Sequence, residues 1–232
     1  MQVNTKIASV VTPDSPGAKM AFRIRKKIYN KLSDNIVLEK LEKILDVGVT
    51  ADAEAAYSNF FECFYPCKER ITALSDQDAS ALEEIFPGLK FVQGDGCDLP
   101  FADNEFDLVF SSAVLEHVGS FERQKKFIAE AMRVSRKYVF LTTPNRYHIF
   151  EFHTYLPFLH WLPKKIHRAI LKWLGLEYLS KEENLNLLDR RSLNKICEEL
   201  GIENYRICHV NFLGMPSNLL LLIQIDDTEP LR

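Results

Sequence analysis

The hydrophobic positions of this chain change period along its length, and the changes mark the elements. Residues 19–32 (KMAFRIRKKIYNKL) place Met20, Ile24, Ile28 and Leu32 four apart, one stripe of an amphipathic helix. Short apolar runs of strand length then follow at 43–49 (KILDVGV), 71–75 (ITALS), 89–93, 106–110 and 138–142 (YVFLT). Helical stretches alternate with them at 58–65, 80–86 and 121–134. In the last, Phe127, Ile128, Ala131 and Val134 share a face. Asn59 and Glu62 have the spacing of a capping box, Pro66 stops the second helix, and Pro87 with Gly88 stops the third. A helix over 190–200 is closed by Gly201, and two final strands, 205–210 and 218–225, read as an antiparallel pair at one edge.

Strands alternating with helices predict an α/β fold: a doubly wound, mostly parallel sheet with right-handed crossovers. In such sheets ligands bind beyond the carboxyl ends of the strands. The length of 232 residues suits a single domain. Residues 1–42 read as an N-terminal helical extension. Residues 144–188, rich in aromatics, His and Pro with weak strand signals, read as a helical lid inserted into the domain.

Composition narrows the class. With 47% hydrophobic and 26% charged residues and a net charge of −3, the chain reads as globular, with no bulk attraction for nucleic acid. Its five cysteines form no CxxC pair and no Cys/His zinc spacing, so reduced thiols, a cytoplasmic setting and no metal site are expected. No signal-peptide pattern or membrane-length apolar run is present in the sequence. The six Lys and Arg of residues 19–32 read as a solvated face of a helix covering the sheet, with contact to an anionic surface as the other reading.

The strand ends carry the candidate chemistry. The first ends in Asp46 and Gly48, a carboxylate for a ligand's ammonium and a glycine that lets backbone approach it. The second ends in Asp76 and Gln77, and a carboxylate there can accept both hydroxyls of a ribose. The third ends in QGDG, where Asp95 can take a hydrogen bond from an adenine amino group and the Gly96 turn can serve a ring nitrogen. The fourth ends in SSAVLEHV, whose Ser111 and Ser112 leave room for ligand and whose His117 begins the next turn.

Taken together, ILDVG, ITALSD and FVQGDGCDLPFADNEFDLVFSSAVLEHV resemble the motif run of class I S-adenosylmethionine-dependent methyltransferases of the small-molecule type, over about residues 43–145. The resemblance implies a Rossmann-like seven-stranded sheet with an antiparallel last strand and S-adenosyl-L-methionine as cofactor. It implies that Asp76 meets the ribose, Asp95 the adenine, and the Asp46–Gly48 turn the methionine part. The chain departs from that pattern in the first turn, where Thr50 and Asp52 stand in place of glycines. A side chain at a position needing positive φ costs about 1 kcal/mol or more, so the loop must run differently, with Asp52 or Asn59 supplying polar contacts. A non-catalytic scaffold with a degenerate pocket is the alternative. NAD is a poorer fit, because its glycine-rich diphosphate turn is absent.

After the fifth strand, TPN followed by HTYLP and HWLP looks like methyltransferases associated with polysaccharide or glycan assembly. Methyl transfer needs alignment and, for a hydroxyl acceptor, a base. His153, His117 and His148 are the base candidates, with Glu151 placed to orient one of them. Asn145, Arg146 and Glu151 are the acceptor-binding candidates, and a small-molecule or glycan acceptor is expected. Residues 161–174 space Leu162, Ile166, Ile170 and Leu174 four apart beside Trp161, Trp173 and a basic side. The pattern suits a packed lid helix or peripheral membrane contact.

Overall fold

The structure is a computed structural model and describes residues 16–51, 58–151, 153–154 and 156–226. Seven strands form one sheet in the order β3-β2-β1-β4-β5-β7-β6. They are β1 (Ile44–Val47), β2 (Ile71–Ser75), β3 (Lys90–Gln93), β4 (Phe106–Ser112), β5 (Ser135–Pro144), β6 (Tyr205–Phe212) and β7 (Met215–Gln224). β1 to β5 pair in parallel, while β7 is antiparallel to both β5 and β6. The expected α/β fold, a Rossmann-like sheet with an antiparallel last strand, is therefore what the chain adopts.

Strand period explains how one apolar run feeds two cores. Along β7, Leu220 and Leu222 enter the cluster on one face of the sheet, whereas Leu219, Leu221 and Ile223 enter the other. Both faces are covered, so β7 reads as unbroken hydrophobic rather than alternating. One face is covered by α1 (Pro16–Asn35) and α2 (Phe60–Phe64). There Ile24, Ile28 and Leu32 join Phe60, Phe110 and Phe140, with Phe61 stacked on Phe110 at 4.7 Å between centroids. The short α3 (Leu82–Ile85) adds its buried Leu82 to this face. The other face is covered by α4 (Phe121–Val134) and α7 (Arg190–Glu199), which contribute Phe127, Ile128, Leu193 and Ile196. Ser120 caps α4 by accepting from the Arg123 amide, and Asp189 caps α7 by accepting from the Ser192 amide. Gly201, at φ +66, follows the end of α7 as its sequence position predicts.

Residues 145–188 hold a 3₁₀ turn (Leu159–Trp161) and the helices α5 (Lys164–Trp173) and α6 (Glu177–Ser180). Buried Gln124 ties this segment to the tip of β4, donating to the carbonyls of Leu115 and Asn186. Among the described residues, no helix is long and apolar enough to cross a membrane.

Two local expectations are corrected. Asn59 and Glu62 do not form a capping box, since the Asn59 side chain makes no cap bond to α2. The basic face of α1 is not wholly solvated, because Arg25 turns inward and donates to Ser112 Oγ at 2.6 Å while lying over the Phe60 ring.

Candidate functional site

The strand order reverses between β1 and β4, and a crevice opens at that point beyond the strand ends. It holds a cavity of about 950 Å³, walled by the loops after β1, β2, β3 and β4 and by residues 178–184. That volume lies in the range of small-molecule sites, about 300–1,000 Å³.

The first wall is the turn after β1. Gly48 lies at φ +96, and its amide donates to the Leu74 carbonyl at 2.7 Å. A β-carbon there would stand 2.1 Å from Val114 Cγ2, so the backbone passes the cavity where only glycine fits. Thr50 is not among the residues with positive φ. Instead, Asn59 clamps it: the Thr50 amide donates to Asn59 Oδ1 at 3.0 Å, and Asn59 Nδ2 donates to the Thr50 carbonyl at 2.9 Å. The Thr50 end of the turn is thus held by the Asn59 side chain. Asp52 lies outside the described residues.

Asp46 behaves differently from expectation. The cavity wall begins at Val47, and the Asp46 carboxyl is buried against Glu62. Burial, then the Glu62 charge, pushes the Asp46 carboxyl well above the usual carboxylate range, and burial raises Glu62 as well. Neither Glu62 oxygen has a hydrogen-bond partner among the described residues, which favours the uncharged form of this buried pair. Glu62 was missed in the sequence because its spacing from Asn59 gave it a local explanation.

The second and third walls match their sequence reading. Asp76 and Gln77 are exposed to the cavity at the tip of β2. Gln93 Nε2 donates to the Asp76 carbonyl at 2.9 Å and steadies that tip, which leaves the Asp76 carboxylate to a ligand. Asp95 lines the cavity and accepts from the Cys97 amide at 2.8 Å and from Arg123 at 3.2 Å. Partial burial works to raise its pKa, but the Cys97 amide and Arg123 outweigh it, so Asp95 stays charged below its ordinary range. Gly96 is packed so closely that a β-carbon would sit 2.5 Å from the Phe127 ring.

Several predicted contacts turn out to serve the fold. Ser111 Oγ donates to the Val47 carbonyl at 2.7 Å, and Ser112 Oγ is shared between Arg25 and Thr142. Both hydroxyls pin the tip of β4, and the cavity wall resumes at Ala113 and Val114. His148 is fully buried, with its ring nitrogens 3.1 and 3.3 Å from the carbonyls of Phe150 and Phe212, and it does not reach the cavity. Asn145 donates to the Pro216 carbonyl, while Arg146 donates to the carbonyls of His160 and Leu162. These two hold the 145–188 segment in place rather than facing the cavity.

His117 and His153 do line the cavity. Their Nε2 atoms are 2.9 Å apart. His117 Nδ1 lies 2.6 Å from the Asn184 carbonyl, and His153 Nδ1 lies 2.5 Å from Glu151 Oε1. Glu151, itself buried, also accepts from the amides of His153 and Thr154. Burial opposes its ionisation, yet the bonds and charge of His153 hold it down at about 2. For His153, burial acts to lower the pKa, but the Glu151 bond and charge prevail and raise it. The orienting role foreseen for Glu151 is therefore seen on one of the three candidate histidines.

A crevice at the switch point, with a carboxylate at the second strand tip, is the arrangement that the sequence resemblance to S-adenosylmethionine-dependent methyltransferases leads one to expect. The comparisons agree. Residues 45–141 match the family model described as methyltransferase domain. The chain is 31% identical over 100 residues to the chloroplastic tocopherol O-methyltransferase of Arabidopsis thaliana, a match spanning 42% of this chain and 28% of that protein. Among solved structures, a SAM-dependent methyltransferase from Aquifex aeolicus superposes with a TM-score of 0.58 at 14% identity, covering 97% of this chain and all of the other. The magnesium protoporphyrin IX methyltransferase of Synechocystis PCC 6803 with bound SAH gives a TM-score of 0.55 at 12% identity, covering 96% and 94%. The match to a methyltransferase domain is confined to residues 45–141, the stretch in which Gly48, Asp76 and Asp95 line the cavity.

Proposed function

We propose that this chain transfers a methyl group to a hydroxyl of a small polar acceptor, of the sugar or glycan kind. The observation that carries this reading is a single cavity that joins Asp76 and Asp95 at one side to the Glu151-oriented His153 and its neighbour His117 at the other. The cofactor, when bound, supplies a methyl group on a positively charged sulfur. Asp76 would hold the ribose and Asp95 the adenine edge. The imidazole pair would take the proton that the acceptor hydroxyl gives up as its oxygen forms the new bond to carbon. Glu182, Glu183 and Asn184 give the acceptor side a polar lining.

Calorimetry with S-adenosylhomocysteine tests the first half. Binding is expected, and Asp76→Ala should weaken it about 10- to 100-fold, as for loss of charge-assisted hydrogen bonds at an exposed tip. His153→Ala should leave that binding intact while abolishing methyl transfer to a hydroxyl. No heat with the unaltered protein would favour the scaffold reading instead.

The same proposal extends to peripheral membrane contact. Trp161, Leu162, Ile166, Trp173 and Leu174 are exposed together, with Trp173 at 83%, beside exposed Lys165 and Lys172. Flotation with anionic vesicles should carry the protein upward, and the double change Ile166→Ser with Trp173→Ser should remove most of that binding. Failure of the unaltered protein to float would leave this an ordinary surface helix.

A further inference from the structure

Glu116, His117 and His153 bring three ligand atoms within 4.8 Å of one another. Each of the three is prepared in a way that ordinary packing does not require. His117 Nδ1 faces the Asn184 carbonyl, which only accepts, so the hydrogen of a neutral His117 ring sits on Nδ1 and its Nε2 lone pair points at His153. His153 Nδ1 is likewise held by the Glu151 carboxylate, leaving its Nε2 lone pair pointing back. Glu116 is fully buried. Its Oε2 accepts from Thr143 Oγ1 at 2.9 Å, but its Oε1, 3.9 Å from His117 Nε2, has no hydrogen-bond partner. A buried carboxylate oxygen without a donor costs free energy unless something positive meets it.

We propose that His117, His153 and Glu116 bind a divalent first-row transition ion at the wall of the cavity. Two imidazoles and a carboxylate are the donor set such ions prefer. With bonds of about 2.1 Å, neighbouring ligands lie about 3.0 Å apart on an octahedral ion and about 3.4 Å on a tetrahedral one, so the two Nε2 atoms, 2.9 Å apart, need move outward by no more than about 0.5 Å. The outer shell is also in place: a carboxylate on His153, a backbone carbonyl on His117 and a hydroxyl on Glu116, the partners that fix ring orientation and raise ligand basicity. The local charge permits it, because two carboxylates, Glu151 and Glu116, act on His153 against one nearby cation, Arg25. Without the ion, a proton between the imidazoles fills the same place. The sequence gives no sign of the site, since His153 follows His117 by 36 positions and enters from another loop.

The ion's open positions face the cavity. In the methyl-transfer reading, on which this role but not the site itself rests, an acceptor with adjacent oxygens would chelate there. Its hydroxyl would then give up its proton to solvent water in the open cavity near neutral pH, and the imidazoles would act as ligands instead of as the base.

The test uses the full chain, treated with EDTA and titrated with ZnCl2 alone, in the absence of cofactor and acceptor. One ion per chain is expected. His153→Ala and Glu116→Gln should each weaken it at least tenfold, and Glu151→Gln, which touches only the outer shell, by about 10- to 100-fold. His209→Ala, at an exposed position on β6, should change nothing. Added Co2+ should give visible absorption bands that His153→Ala abolishes. Thermal melting without metal, unchanged in His153→Ala, shows that the variant folds. Absence of stoichiometric binding, or equal affinity in His153→Ala, overturns the proposal. Because S-adenosylhomocysteine takes no part, a chain that binds the ion but not that ligand would refute methyl transfer and leave the metal site standing.

Discussion

Gly48→Ala is expected to abolish measurable binding of S-adenosylhomocysteine, a loss of at least about 100-fold, and to lower the melting temperature by several degrees. Two independent costs combine. The backbone at φ +96 lies where a side chain is strained by about 1 kcal/mol or more. The new methyl group would also lie 2.1 Å from Val114 Cγ2. Val114 is β-branched and stiff about χ1, and it belongs to the cavity wall, so any movement that relieves the clash deforms the site. The two costs can be separated by adding Val114→Ala, which removes the clash but not the backbone strain. The double variant should recover part of the affinity and not all of it. Full affinity in Gly48→Ala alone would show that the turn after β1 takes no part in ligand binding.

The second large effect is on stability. Asp107, the second residue of β4, is fully buried. One carboxylate oxygen accepts from the amides of Glu42 and Lys43 at 2.7 and 3.2 Å, and the other from Arg136 Nε at 2.6 Å. It thereby fastens the entry to β1 to the start of β4 and to β5. Asp107→Ala leaves two amides and a guanidinium without their partner, at a cost of about 3 kcal/mol. For a chain of this length that is a fall of about 6–12 °C in melting temperature.

The effect carries a pH signature. Burial alone would raise the Asp107 pKa, but Arg136 and the two amides hold it down at about 2. Its folded value lies below the unfolded one of about 4, so the native state favours the carboxylate. The contribution is complete above about pH 4 and is lost as the pH falls toward 2. Urea unfolding of the unaltered protein and Asp107→Ala should differ by the full amount at pH 6 and by clearly less at pH 3. An equal difference at both would mean that the charge of Asp107 contributes nothing.

The fold was readable because strand length, period and breakers agree along residues 43–142, and the alternation of elements leaves few topologies. Asp76 and Asp95 were legible for the same reason, since a residue at a strand tip in this fold faces the crevice whatever else surrounds it. The polar residues one or two places away were not. Ser111, Ser112, Asn145, Arg146 and His148 look as available in sequence as Asp76 does, yet each is consumed by a hydrogen bond that the fold itself needs. Local pattern shows which groups are polar, but not which have been spent. Arg25 and Glu62 were hidden in the opposite way. Each had a sufficient local explanation, a basic helix face and a capping box, while their true partners lie on other elements: Ser112 is 87 positions from Arg25, and Asp46 stands on β1. The His117–His153 contact belongs with them, because only the docking of the 145–188 segment brings it about.

The Asn59 clamp on Thr50 bears on where binding free energy comes from. A glycine turn is supple until its ligand arrives, and each glycine that becomes ordered gives up more conformational entropy than any other residue, roughly 0.5–1 kcal/mol relative to alanine. Thr50 has less of that freedom to lose, and two hydrogen bonds from one side chain hold its peptide before any ligand is present. This part of the loop is preorganised, so its ordering is charged to folding and subtracted less from affinity. The substitution that looks like decay of a motif is, in thermodynamic terms, a transfer of cost from the binding step to the folding step.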